Sequence, residues 1–133
     1  MDWLQKRSLG SLLDAAAEHY GEREALVFND QGIDYTALKT ETDRIAKGLM
    51  AIGVEQGERV ALWMTNRPEW LYLMFAIAKV GACIVPLNTR YRTDDVAYTV
   101  NQSRSATLIS LDRSGPIDFQ GMLLARITCC SPS

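Results

Sequence analysis

The segment GERVALWMTNRPEWLYLMFAIAKVGACIVPLNTRY, Gly57 to Tyr91, limits the folds open to this chain more than any other feature. Val60 to Met64 is apolar at every position. A strand with one wet face alternates, so a strand here needs cover on both faces. Pro68 suits the first turn of a helix because it has no N–H to lose there, and Asn66 stands upstream as a cap. The helix predicted from Pro68 to Val80 is apolar nearly all round, and Gly81, with a positive φ, closes it. CIVPL then makes another strand, and Pro86 ends it because it cannot donate to a ladder.

The flanking sequence extends this alternation. Leu9, Leu12, Leu13, Ala16 and Tyr20 recur at helical spacing, with Ser8 as N-cap and Gly21 as a left-handed stop. Glu24 to Asp30 reads as a strand, and DQG before IDY reads as the turn into an antiparallel partner. Thr36 is expected to cap a second helix that ends at Gly53. Leu38, Ile45, Leu49 and Ile52 lie along one side of it, and Lys39, Glu41, Asp43 and Lys47 face water. Thr93 is expected to cap a helix with Asp94 and Asp95 beside the positive end of its dipole, and ATLISL forms one more strand. From Ile33 the order strand, helix, strand, helix, strand, helix, strand predicts right-handed crossovers and a parallel α/β sheet. After Asp112 the sequence offers turn chemistry, one short apolar patch and no element to finish that sheet.

Length and charge exclude several function classes. A chain of 133 residues supports one core. A net charge of −2 leaves no basic footprint for nucleic acid, and no polybasic run invites a membrane surface. The opening MDWLQKR lacks the apolar block of a secretory signal. Trp70 to Ala78, the longest apolar run, falls far below the roughly 20 residues that span a bilayer, so a cytoplasmic setting without a transmembrane segment is expected. Cys83, Cys129 and Cys130 are odd in number and lack C-x-x-C spacing, which reads as reduced thiols and not a disulfide framework or zinc site. In that setting the sequon Asn101-Gln102-Ser103 has no access to glycosylation.

The residues that could do chemistry are few. The sequence holds no G-x-G-x-x-G, no G-x-x-x-x-G-K-[ST] and no G-x-S-x-G, so Ser8 and Ser11 read as capping residues. His19 is the sole histidine and sits near a helix end, where structure explains it better than catalysis. Asp94 and Asp95 could be imagined as a metal pair, but adjacent helical residues diverge and the cap role explains both. Arg90 and Arg92 flank Tyr91 at the carboxyl end of a strand, where open α/β sheets bind ligands. They form the best local candidate for an anion contact, although a solvated loop edge is the commoner arrangement. Cys130-Ser131-Pro132-Ser133 puts a cysteine at the prenylation position with unsuitable neighbours. Taken together, catalytic residues are read as none, metal ligands as none, and cofactor-binding residues as unknown.

Tyr35-Thr36, Gly57-Glu58-Arg59-Val60-Ala61, Asn66 with Pro68-Glu69, Lys79-Val80-Gly81-Ala82 and Val85-Pro86-Leu87-Asn88 occur in an order and spacing that resemble the AMP-forming adenylating enzymes, within them the fatty acyl-CoA synthetases. The resemblance covers roughly Glu24 to Leu111. It implies the N-terminal part of the adenylate-forming large domain, an incomplete α/β fold with a mostly parallel sheet flanked by helices and a short N-terminal β-hairpin. On this basis residues 1–111 are expected to form a partial N-terminal domain and 112–133 an atypical, irregular tail. It further implies a ligase that couples a fatty acid to ATP and transfers the acyl group from acyl-AMP to CoA, with Mg²⁺ holding phosphate charge. The family's phosphate loop, nucleotide contacts and C-terminal lysine have no counterpart here. The expectation is therefore a fragment that binds no cofactor itself and is inactive alone. The alternative is a non-enzymatic α/β module that binds a partner, or a second copy, through an open sheet edge.

Overall fold

A computed structural model describes residues 8–111 and 113–122. The readings of the opening segment, of Cys129 and of the Cys130 terminus lie outside those residues. The described parts of Met1–Glu58 and Asn66–Cys83 form one compact unit, and those of Arg59–Thr65 and Ile84–Ser133 form another.

In the first unit, helix α1 (Leu9–Tyr20) starts where the Ser8 hydroxyl accepts from the Ser11 N–H at 3.2 Å. Gly21 closes it at φ +21° and ψ −81°, short of the left-handed well expected there. Strands β1 (Glu24–Phe28) and β2 (Gln31–Asp34) pair antiparallel. The turn between them is Asn29-Asp30 and not Asp30-Gln31-Gly32. Both residues hold positive φ, 51° and 62°, as a two-residue hairpin turn requires, and this places Gln31 and Gly32 within β2.

Helix α2 (Tyr35–Ala51) is capped by Asp34, whose carboxylate accepts from the Ala37 N–H at 2.7 Å. The cap expected at Thr36 thus falls two residues earlier, since the Asp34 carboxylate at the end of β2 already accepts from the helix start. The buried stripe is Leu38, Thr42, Ala46 and Leu49. Ile52, expected on that stripe, lies beyond the last helical turn and is 69% exposed. Helix α3 (Pro68–Val80) has Pro68 at its first position, as expected, but Asn66 does not cap it: the N-cap is Arg67, without a side-chain bond. Among its residues only Glu69 is exposed, so it is covered nearly all round. Gly81 ends it in the left-handed region, at φ 84° and ψ 15°.

The second unit is built on β3 (Arg59–Trp63), where Val60, Ala61, Leu62 and Trp63 are fully buried. It is the middle strand of a parallel three-stranded sheet ordered β4-β3-β5, with β4 at Cys83–Pro86 and β5 at Thr107–Ser110. Val60 pairs with Thr107 and Trp63 with Ser110 in that parallel register. Helix α4 (Thr93–Ser103) begins one residue after its cap, Arg92, whose N–H donates to the Asp95 carboxylate at 3.0 Å. Thr93 is therefore the first helical residue and not the cap. Ala61, Trp63, Leu87, Val96 and Phe119 form the core of this unit, so the apolar patch after residue 112 supplies a core side chain.

Candidate functional site

The loop after β4 is the one place where the sequence reading put a ligand contact. Its course is fixed by Asn88. The Leu87 N–H continues the ladder to the Leu62 carbonyl at 2.9 Å, which delivers Asn88 to the carboxyl end of β3. There the Asn88 carbonyl accepts from the indole N–H of Trp63 at 3.1 Å and from the Tyr91 N–H at 3.0 Å. Its side-chain oxygen takes the Arg90 N–H at 2.9 Å. An asparagine that bonds the backbone two residues on is a local turn former, and the Trp63 indole anchors this turn to the end of β3.

Thr89, Arg90, Tyr91 and Arg92 form one wall of a cleft of about 470 Å³, and Pro116, Ile117, Asp118 and Met122 form the other. The second wall is ordered by Asp118. Its carboxylate accepts from the Gly121 N–H at 2.9 Å and from the Arg113 guanidinium at 3.1 Å. Ser114 and Ile117 exchange backbone bonds across Gly115-Pro116. Tyr91 packs onto the core beneath the cleft, while Arg90 and Arg92 are exposed. Two exposed guanidinium groups beside a half-apolar cleft can attract an anion, but water screens them. No nucleophile lies paired with a base there.

The other singled-out residues are not brought to this cleft. His19 is exposed in the last turn of α1 with its ring 6.2 Å from that of Tyr20. Cys83 is an exposed free thiol at the start of β4. Ser8 and Ser11 bond each other at the start of α1, as capping residues do. Asp95 serves the start of α4. Among the described residues no three His, Cys, Asp or Glu side chains gather where they could hold a metal ion.

The densest charge cluster lies in the first unit. The Lys79 ammonium on α3 donates to Asp14 of α1 at 2.6 Å and to Asp43 of α2. Lys39 of α2 donates to Asp43 at 2.6 Å. Lys39 and Asp43 were expected to face water, but α3 packs over them and both are half-buried. Burial alone would raise the Asp43 pKa, yet hydrogen bonds from Lys39 and Lys79 hold it below the usual carboxylate value. The bond to Asp43 lifts that of Lys39. This arrangement is an electrostatic clasp between helices. Sequence reasoning missed it because its members are 65 and 36 residues apart from Lys79 along the chain.

Comparison with known proteins identifies the family. The family profile described as AMP-binding enzyme matches residues 13–125. A crotonobetaine/carnitine–CoA ligase of Proteus mirabilis is 34% identical over 92% of this chain and 24% of its own length. The mitochondrial medium-chain acyl-CoA ligase ACSF2 of Rattus norvegicus is 34% identical over 74% of this chain and 16% of its own. Among solved structures, the inhibitor-bound N-terminal domain of FACL13 from Mycobacterium tuberculosis superposes with a TM-score of 0.82 at 29% identity, over 95% of this chain and 31% of that one. The chain therefore spans about a sixth to a quarter of the length of these curated relatives. Matched over most of its residues by that profile, the chain belongs to the AMP-binding enzyme family, whose relatives here are acyl-CoA ligases.

Proposed function

We propose that this chain is scaffold of an AMP-forming acyl-CoA ligase, whose full reaction joins a fatty acid to CoA through acyl-AMP, and that alone it does not adenylate. The observation that carries the reading is the pairing of a family match over residues 13–125 with a sequence that holds no Ser/Thr/Gly-rich phosphate loop. The relatives named for crotonobetaine/carnitine and for medium-chain acids match it at the same 34% identity, which fits a segment that supports the fold and does not read the acid.

The described residues do not fit Mg²⁺ and ATP. The candidate cleft offers two exposed arginines and no Gly-rich turn, and in the first unit Asp14 and Asp43 are engaged by lysines. Charge on a transferring nucleotide needs donors held in a dry site, which exposed side chains do not provide. Within this reading residues 1–111 carry the partial N-terminal domain, and the segment after it contributes Phe119 to the core around Trp63. The setting is the cytoplasm, and no described helix is long and apolar enough to cross a membrane.

A second reading, an interaction module, draws on β5. It ends the sheet order and, among the described residues, pairs on one side only, an arrangement that accepts an added strand. Fatty-acid-dependent exchange of labelled pyrophosphate into ATP tests the first reading: no exchange above the blank is expected, and turnover would refute it. Sedimentation tests the second, which requires a defined dimer or complex.

A further inference from the structure

α1 is attached to its own unit by a thin apolar seal. Of its residues only Gly10 and Leu13 are buried, while Leu9, Leu12 and Tyr20 are 47%, 38% and 50% exposed. Gly10 permits a backbone contact in place of a side-chain one: a Cβ built there would lie 3.0 Å from the Ala78 carbonyl oxygen and from the Lys79 Cα of α3. Ala15, Ala16 and Ala17 are half-buried and add small apolar contacts, and the rest of the hold is ionic. Asp14 meets the Lys79 ammonium at 2.6 Å and lies 3.7 Å from that of Lys39. Lys79 is the sheltered member of the group, its side chain 13% exposed, and it reaches α1 and α2 together. At the far end, the Thr36 N–H donates to the Gly21 carbonyl at 3.1 Å and the Tyr20 and Tyr35 rings stand 5.8 Å apart, which leaves a tether but little buried area.

We propose that α1 opens as a separate unit from the α2–α3 pair, with the Asp14–Lys79 ion pair as its latch. Local opening follows where few apolar contacts hold a segment, and an ion pair shared by three helices makes that opening answer to charge. Raising the ionic strength screens the half-exposed Asp14 and weakens the latch; the Lys79–Asp43 pair between α2 and α3 is screened as well, but the apolar contacts there still hold those two helices together. The device goes beyond the ligase-scaffold reading and does not depend on it.

Hydrogen exchange of the full chain, read by peptide mass spectrometry, tests it. Amides of α1 are expected to exchange faster than those of α2 and α3, and 1 M NaCl to widen that difference. Asp14→Asn is expected to raise α1 exchange about threefold at low salt, within the range of partly exposed ion pairs, with α2 and α3 unchanged. In a Lys79→Met background the same substitution adds less, because only the longer 3.7 Å contact with Lys39 is left to lose. Should Lys79→Met fail to fold, the salt series on the unaltered chain still decides. Equal exchange across the three helices, no selective response to salt, or an acceleration shared equally by α2 and α3 after Asp14→Asn would each overturn the proposal.

Discussion

Phe119 meets Trp63 edge to face, with ring centroids 4.6 Å apart and planes at 84°. Both side chains are fully buried, and the pair joins the middle strand of the sheet to residues more than fifty positions later. Edge-to-face aromatic pairs at this separation contribute beyond the area they bury. Phe119→Ala leaves a cavity against Trp63, so a loss of about 3–5 kcal/mol is expected in urea unfolding. Phe119→Leu, which keeps most of the volume, should cost less than half of that. Equal stability of the alanine variant would mean that the segment is not packed as described.

Thr42 occupies the buried stripe of α2 with its hydroxyl oxygen unpartnered. Burying such a group without a hydrogen bond is unfavourable. Thr42→Val retains the shape and removes the hydroxyl, so a gain of about 1 kcal/mol is expected. Thr42→Ser keeps the hydroxyl, deletes the methyl and should destabilise. Thermal melts of the two variants are expected to move in opposite directions.

Gly81 adopts φ 84°, and a Cβ there would also stand 2.9 Å from the Gln56 Cγ. The left-handed conformation costs a β-branched residue about 1–2 kcal/mol before any clash is counted. Gly81→Val should lower the melting temperature accordingly. Combining it with Gln56→Ala should recover only the part due to contact, which separates strain from crowding.

The clasp makes stability depend on pH in two windows. The folded pKa of Asp43 lies below its unfolded value, so its contribution is present above the ordinary carboxylate range and is lost as pH falls through the folded value. That of Lys39 is raised above the ordinary ammonium value. Its contribution is complete below that value and is lost as pH rises through the folded one. The stability attributable to this pair is therefore flat through neutral pH and declines at both ends. Asp43→Asn should flatten the acid limb of a denaturation series, and an unchanged acid limb would show that other carboxylates dominate it.

Much of the fold could be read from the chain because local rules and the global arrangement agree. Val60–Met64 needed cover on both faces and lies fully or nearly buried, Pro68 starts its helix, and Gly81 stops it at positive φ. The misplacements cluster where two polar residues compete for one local role. Asp34 outcompetes Thr36, and Asn29-Asp30 makes the hairpin turn because the register pairs Phe28 with Gln31. Thr42 and the Asp14–Lys39–Asp43–Lys79 clasp were invisible for a different reason. A polar residue is sorted to the wet side by its chemistry, and only the neighbouring helix decides otherwise. At the candidate site, Arg90 and Arg92 were found from strand order, whereas Asn88 entered only through the family resemblance although it sets the loop. The opposite wall, centred on Asp118, depends on Phe119 being buried, and the aperiodic sequence after residue 112 gave no sign of that. The family match itself runs on to residue 125, past Leu111.

The central claim is that these residues build frame and do not hold the nucleotide. Titration of Mg²⁺·ATP into the full chain, followed by calorimetry, addresses it directly. No saturable heat is expected up to millimolar nucleotide, with or without a fatty acid. One-to-one binding with a micromolar Kd, lost on Arg90→Ala or Arg92→Ala, would contradict it.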